Sequence, residues 1–406
     1  VAEPPGASAR HLDALDIPQI AEQASTTTPA DVAAVLRRER LTLKDLAALL
    51  SAAATNHLEE LARRAQAVTV QRFGRVVRLF APLYLSNHCL SSCTYCGFAR
   101  SLTSARSTLT PEQVEEEARV LAARGFRHLL LVSGEHRGEV GPQYLLSCLN
   151  RLRHVVPSLA IETQTWPAGV YAELVAAGLD GVVHYQETYA RDRYRQVHPS
   201  GWKRDYNRRL NAMDAAGEAG ARRLGLGVLL GLSAGWRADV LAVAAHARLM
   251  QQRYWRSDVT VSLPRITSSA SGFQPVAVLS DAEFVQTIAA LRLFLPSVGI
   301  VLSTREPAGL RDGLVRIAVT HLSAGSSTEP GGYTGAGRTG TQFDVIDRRS
   351  LQEVAEMLDA AGYEPVLHDA LPASCLSGPG HRRYPGPGSP RSTPARGVVP
   401  QRAPGS

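Results

Sequence analysis

The sequence predicts an α/β fold: a (β/α)8 barrel of the TIM type, with a helical extension before it and a tail after it. Three observations carry that prediction. From Val77 to about residue 325, short apolar runs alternate with amphipathic stretches, the pattern of parallel strands joined by helices. The runs number eight, which closes a barrel and does not leave an open sheet. Polar residues recur at the C-terminal ends of the runs, where a barrel has its catalytic mouth.

Taken in chain order, residues 1–40 read as a mixed polar lead-in. Between Leu41 and about Gln71 the spacing turns helical: Leu43, Leu46, Leu49 and Leu50, then Leu58, Leu61 and Ala65, fit a 3.6-residue period. The eight candidate strands are 78–86, 128–135, 159–164, 181–188, 223–232, 259–266, 299–306 and 318–325. Helical patterns over 111–124, 143–154, 167–177, 203–219, 237–253 and 281–295 lie between most of them. Thr110-Pro111 supplies a capping residue and a proline for the first helical position. Gly220 is placed to end the helix over 203–219. A last helix over 351–363 and a short extended EPVLHD follow. These readings divide the chain into an N-terminal helical extension (1–76), the barrel (77–369) and a tail (370–406). Glu135, Gln164, Glu187, Arg265 and Arg305 end five of the strands and are the residues expected to face the mouth.

Composition excludes several classes of function. No run of about 18 apolar residues is present, so no transmembrane helix is expected. The first residues, VAEPPGASARHLDALD, lack the apolar stretch of a signal peptide. The net charge is +7, but five arginines of the tail (Arg382, Arg383, Arg391, Arg396 and Arg402) face no acidic residue there and leave the rest near +2. A basic tail is a solvated segment before it is a nucleic-acid site, and no recognition motif accompanies it. With eight prolines and six glycines, residues 371–406 cannot build a packed core, so disorder is expected there. Five cysteines, three of them within eight residues, suit a reducing cytoplasm and a metal site, not a disulfide framework.

Those three are Cys89, Cys93 and Cys96, in Cys-Leu-Ser-Ser-Cys-Thr-Tyr-Cys-Gly. Thiolates at CxxxCxxC spacing can wrap three irons of a [4Fe–4S] cubane and leave the fourth without a protein ligand, open for chemistry. The motif follows the first strand and so lies in the first βα loop, at the mouth. Zinc held by the three cysteines and His88 is an alternative on residues alone, although adjacent residues such as His88 and Cys89 bind one ion awkwardly. Chance clustering is another.

CxxxCx(aromatic)C after the first barrel strand resembles the radical S-adenosylmethionine (SAM) signature. The longer run FAPLYLSNHCLSSCTYCGF (80–98), with LLLVSGEH (129–136), GLDGVVHYQETY (178–189), GLGVLLGL (225–232), SLPRI (262–266) and LSTRE (302–306), resembles the 2-iminoacetate synthase family, radical SAM tyrosine lyases of bacterial thiamine biosynthesis. The likeness spans roughly residues 56–366. It implies a carbon–carbon lyase that splits the Cα–Cβ bond of L-tyrosine into 2-iminoacetate and p-cresol, with SAM converted to 5′-deoxyadenosine and methionine. A lyase for tryptophan or another aromatic substrate is the nearest alternative. Residue by residue, the resemblance implies Cys89, Cys93 and Cys96 as cluster ligands. It implies Ser133, Gly134 and Glu135 against the methionyl group of SAM, and Glu187 and Arg209 as further SAM contacts. Gly225-Leu226-Gly227 would lie beside the adenine, although GxG alone is equally strand packing. Arg305 would clamp the substrate carboxylate, with Arg265 as the competing clamp. A flavodoxin or ferredoxin-type electron donor and a thiazole synthase partner follow from the same likeness. The tail past His368 departs from the family's ending. Cys148 and Cys375 cannot form a second cluster site, which implies 2-iminoacetate as the released product.

Overall fold

The computed structural model describes residues 6–337 and 339–367. Five helices come first: α1 (Ala7–Asp13), α2 (Ile17–Gln23), α3 (Pro29–Leu36), α4 (Leu43–Leu49) and α5 (Leu58–Phe73). Three of them occupy the stretch expected to be a polar lead-in, which corrects that expectation. At seven or eight residues each is too short for helical periodicity to stand out, and such helices persist only by packing. Their starts were nevertheless written in the chain. Asp16 caps α2, and Thr28 and Asp31 form a reciprocal capping box with Pro29 in the first turn of α3.

Strand and helix then alternate: β1 (Val76–Ser86), α6 (Pro111–Ala123), β2 (His128–Ser133), α7 (Pro142–Leu152), β3 (Ser158–Glu162), α8 (Ala168–Ala176) and β4 (Gly181–Glu187). The second half holds α9 (Arg191–Val197), α10 (Tyr206–Glu218), β5 (Arg223–Val228), α11 (Trp236–Arg253), β6 (Asp258–Ser262), α12 (Asp281–Phe294), β7 (Gly299–Leu302), α13 (Ala308–Val315) and β8 (His321–Ser323). Neighbouring strands pair in parallel in sequence order, and β1 joins β8 on one side (Arg78 opposite His321) and β2 on the other (Ala81 opposite Leu129). The eight strands therefore close a barrel, as the alternation predicted. After α14 (Leu351–Ala360), β9 (Glu364–Val366) pairs with residues 76–78 of β1.

Two irregularities aim side chains at the mouth. The register slips between Tyr84 and Ser86 on β1 and between Tyr185 and Glu187 on β4, bulges of the kind that re-aim a strand's last residues. Glu187 has φ +70°, alone among the described non-glycine residues in the left-handed region. Gly220 (φ +82°) follows α10 as its spacing suggested. Gly225 and Gly227 have a packing role: a Cβ on Gly227 would stand 2.6 Å from the Tyr185 ring, and one on Gly225 2.8 Å from Val183. Cys148 is buried on α7, and no helix of the described residues is long and apolar enough to cross a membrane. The expected disorder of the tail and the reading of Cys375 lie outside the described residues.

Candidate active site

The loop from β1 to α6 carries Cys89, Cys93 and Cys96 over the mouth of the barrel, where all three line one cavity of about 1260 Å³, open solvent at its mouth included. Main-chain bonds hold this loop on several sides. Leu90 N–H donates to the Glu135 carbonyl (2.9 Å), Thr94 N–H to the Val197 carbonyl (3.0 Å) and Gly97 N–H to the Gln342 carbonyl (3.0 Å). Gly134 makes one of these approaches possible. A Cβ there would lie 2.3 Å from the His88 carbonyl oxygen and 2.9 Å from Cys89 Cβ, so only glycine lets the end of β2 come so near the cysteine loop.

The thiols are free cysteines. Burial pushes the Cys89 thiol up to about 11 and raises Cys93 and Cys96 as well, against the opposing pull of Lys203 on the latter two. Backbone N–H groups already aim at the sulfurs: Ser91 and Glu135 at Cys89 Sγ and Phe98 at Cys96 Sγ, each 3.4 Å away. Such N–H···S contacts are typical of iron–sulfur sites. Among the described residues, no three His, Cys, Asp or Glu side chains converge on a point that would hold a single ion. His88 instead packs its ring edge-on to His136 at 5.8 Å. Three thiols lining one cavity can each take a different iron of a cubane.

Around the thiols stand the charged residues expected from strand ends. Glu135 accepts from Arg209 Nη1 (3.1 Å) and Ser91 Oγ (3.1 Å), while Arg209 Nε donates to the Tyr185 carbonyl (3.0 Å). Glu187 pairs with Lys203 at 2.6 Å. Ser133 lines the cavity with a buried hydroxyl that has no protein partner, the kind of orphan that a ligand satisfies. Ser133, Gly134, Glu135, Glu187 and Arg209 thus all meet at the cavity. Together they line it with hydrogen-bonding groups and both signs of charge.

Arg305 lines the same cavity, its guanidinium 3.5 Å over the Phe343 ring, and burial lowers its pKa. Arg265 does not line it, which corrects its candidacy as a substrate clamp. Its guanidinium pairs with both carboxylate oxygens of Glu306 and with Asp281 (2.8 Å), and it donates to the Leu279 carbonyl (3.0 Å). Gln164 also turns away, accepting from His136 N–H (2.9 Å) and donating to the Val140 carbonyl (2.5 Å).

Several lining residues escaped the sequence reading. Lys203 sits in a turn before α10 and carries no motif. Gln342, which accepts from Tyr84 Oη (2.7 Å), and Phe343 belong to a segment with no strand or helix signal. Glu162 had a visible signal, a lone acid inside the apolar run LAIETQ. Burial, with Glu187 adding to it, lifts its carboxyl to about 7.

The radical SAM superfamily model matches residues 83–241, and the biotin and thiamin synthesis associated domain matches residues 262–364. The 2-iminoacetate synthase of Escherichia coli (strain K12) is 43% identical over 355 residues, 87% of this chain and 94% of that protein. The Salmonella typhimurium 2-iminoacetate synthase is 44% identical over 342 residues, 84% of this chain and 91% of that one. Among solved structures, the FeFe-hydrogenase maturase HydG from Carboxydothermus hydrogenoformans aligns with a TM-score of 0.82 at 31% identity, covering 90% of this chain and 86% of that one.

Proposed function

The chain belongs to the 2-iminoacetate synthase family of radical SAM lyases, and we propose that it cleaves the Cα–Cβ bond of L-tyrosine to 2-iminoacetate and p-cresol. A [4Fe–4S] cluster and SAM are its cofactors. Reduced by one electron, they supply an organic radical strong enough to remove a hydrogen atom from an amino group.

The observation that carries the substrate reading is Arg305 on the wall of the cavity that holds the three cysteines. A fixed guanidinium can grip a carboxylate with two parallel hydrogen bonds and hold the adjacent amine against the reaction centre. Tyr84, Tyr185 and Phe343 give that cavity aromatic walls suited to a phenol ring. In this reading Cys89, Cys93 and Cys96 hold the cluster. Ser133, Gly134 and Glu135 meet the methionyl end of SAM, and Glu187 and Arg209 order its remaining polar groups. Arg209, already bonded to Glu135 and the Tyr185 carbonyl, fixes Glu135 in place. The lumen keeps water from the radical.

2-Iminoacetate hydrolyses in water, so direct delivery to a thiazole synthase fits the chemistry. A flavodoxin or ferredoxin would supply the electron, in the cytoplasm. Reduced, reconstituted enzyme given SAM with tyrosine or tryptophan tests the reading. p-Cresol from tyrosine alone is expected, and a product from tryptophan alone would overturn it. Arg305→Ala is expected to abolish p-cresol formation while slow SAM cleavage continues; unchanged tyrosine cleavage would remove Arg305 from the site.

A further inference from the structure

The charges lining the cavity fall into two closed pairs and two loose ends. Lys203 is bonded to Glu187, and Arg209 to Glu135. Glu162 and Arg305 remain. Among the described residues, neither the Glu162 carboxylate nor the Arg305 guanidinium has a hydrogen-bond or ion-pair partner. The Arg305 side chain rests on the Phe343 ring, and its own N–H is spent on Ser303 Oγ (3.4 Å). Glu162 ends β3 and Arg305 follows β7, strands on opposite sides of the ring, so the two approach the cavity from facing walls.

Loss of solvent in the cavity disfavours each charge, raising the Glu162 pKa and lowering that of Arg305. An unpaired charge facing a confined cavity is disfavoured, and a ligand carrying one charge of each sign relieves both. An α-amino acid does so from a single carbon atom, with its carboxylate and its ammonium. Neutral phenol, indole or thiol groups would leave both charges unmatched.

We propose that Glu162 is a catalytic residue that binds the substrate α-ammonium opposite the carboxylate held by Arg305, and takes one proton from it. This rests on the amino-acid lyase reading above. In the step, one N–H bond breaks and an O–H bond forms on Glu162. The electron pair stays on nitrogen, and no oxidant or reductant is involved. The neutral amine that results is the form whose hydrogen atom can be removed to leave a neutral aminyl radical, not an aminium radical cation. A carboxyl titrating near neutrality suits such a transfer. The charged and titratable groups around Glu162 are Glu187, Arg209, Lys203 and Arg305, with the Tyr84 and Tyr185 hydroxyls held neutral by burial.

A thermodynamic cycle tests the contact independently of turnover. Cluster-loaded enzyme with SAM is titrated with tyrosine and with 3-(4-hydroxyphenyl)propionate, which is tyrosine without its amine, in the wild type and in Glu162→Gln. Removing the amine is expected to weaken binding roughly 30-fold in the wild type, the loss typical of one partner of a buried charge pair, and to matter little in Glu162→Gln. p-Cresol formation by Glu162→Gln should fall by roughly 100-fold or more, with the EPR signal of the reduced cluster unchanged. If Glu162→Gln does not fold, Glu162→Asp carries the same cycle, with partial coupling expected. A residue with only a structural role would weaken both ligands alike; equal weakening, or a ratio untouched by the substitution, overturns the proposal while the tyrosine reading stands. A wild type that binds neither ligand overturns the tyrosine reading and the proposal with it.

Discussion

Gly134→Ala adds one methyl group at the contact between the end of β2 and the cysteine loop. That Cβ would sit 2.3 Å from the His88 carbonyl oxygen, which is backbone, and 2.9 Å from Cys89 Cβ. Ordinary carbon–oxygen contacts begin at roughly 3.3 Å, so one chain must retreat by about 1 Å. Neither chain is free to do so. Gly134 N–H bonds the Ser86 carbonyl (3.1 Å), His88 N–H bonds Ser86 Oγ (3.1 Å) and Leu90 N–H bonds the Glu135 carbonyl (2.9 Å). Overpacking of this kind costs about 1–3 kcal/mol, and losing one of those bonds adds about 1 kcal/mol. The same shift carries Cys89 away from Cys93 and Cys96, so the variant should bind less cluster even where it stays folded. Iron and sulfide per chain after anaerobic reconstitution, read beside chemical denaturation, measure the two effects. An alanine variant with a full iron complement and wild-type stability would refute the claim that this glycine sets the geometry of the cysteine loop.

Two further substitutions probe the scaffold. Arg265→Ala strips the cation from Glu306, whose side chain is only 2% exposed, and should cost about 3–5 kcal/mol in denaturation, as breaking a buried pair does, with SAM cleavage per folded molecule unchanged; wild-type stability with lost turnover would return Arg265 to the active site. Burial lifts the Asp239 carboxyl to about 7 from 3.8, although Tyr189 N–H (2.7 Å) and Thr188 Oγ1 (3.0 Å) donate to it. Its folded-state pKa lies above the unfolded value, so the stability it contributes is complete below 3.8 and is lost as pH rises toward about 7. Asp239→Asn keeps an oxygen for both donors and should flatten that slope in urea midpoints measured across this range. A slope unchanged from wild type would show that the carboxyl is not the group responsible.

The barrel was legible because the strands are short apolar runs, most of them with polar residues at or just past their ends, and because the helices between them carry caps such as Thr110 and Gln113. The cysteine loop was legible from spacing alone. The sequence favoured Arg305 over Arg265 only through its serine and threonine neighbours, since both follow a strand. The residue that separates them is Glu306, which follows Arg305 in the chain but reaches back to Arg265 just past the neighbouring strand β6. No local pattern records that crossing. Lys203 and Gln342 were illegible for a related reason: each enters the cavity from an irregular segment whose course is fixed by tertiary contacts, not by periodicity. Glu162 could have been found, because an acid within a buried strand needs a partner or a purpose.

The Gly97–Gln342 bond also sets an order of events during synthesis. The residue that completes the cysteine loop is made about 245 positions after the loop itself, which at typical bacterial elongation rates is roughly 12–50 seconds later. By then β8 has been made but β9, which pairs with the start of β1, has not, and three reduced thiols wait on an unfinished surface. Cys89, Cys93 and Cys96 are therefore expected to meet oxidants and metal ions before the contact that completes their loop can form.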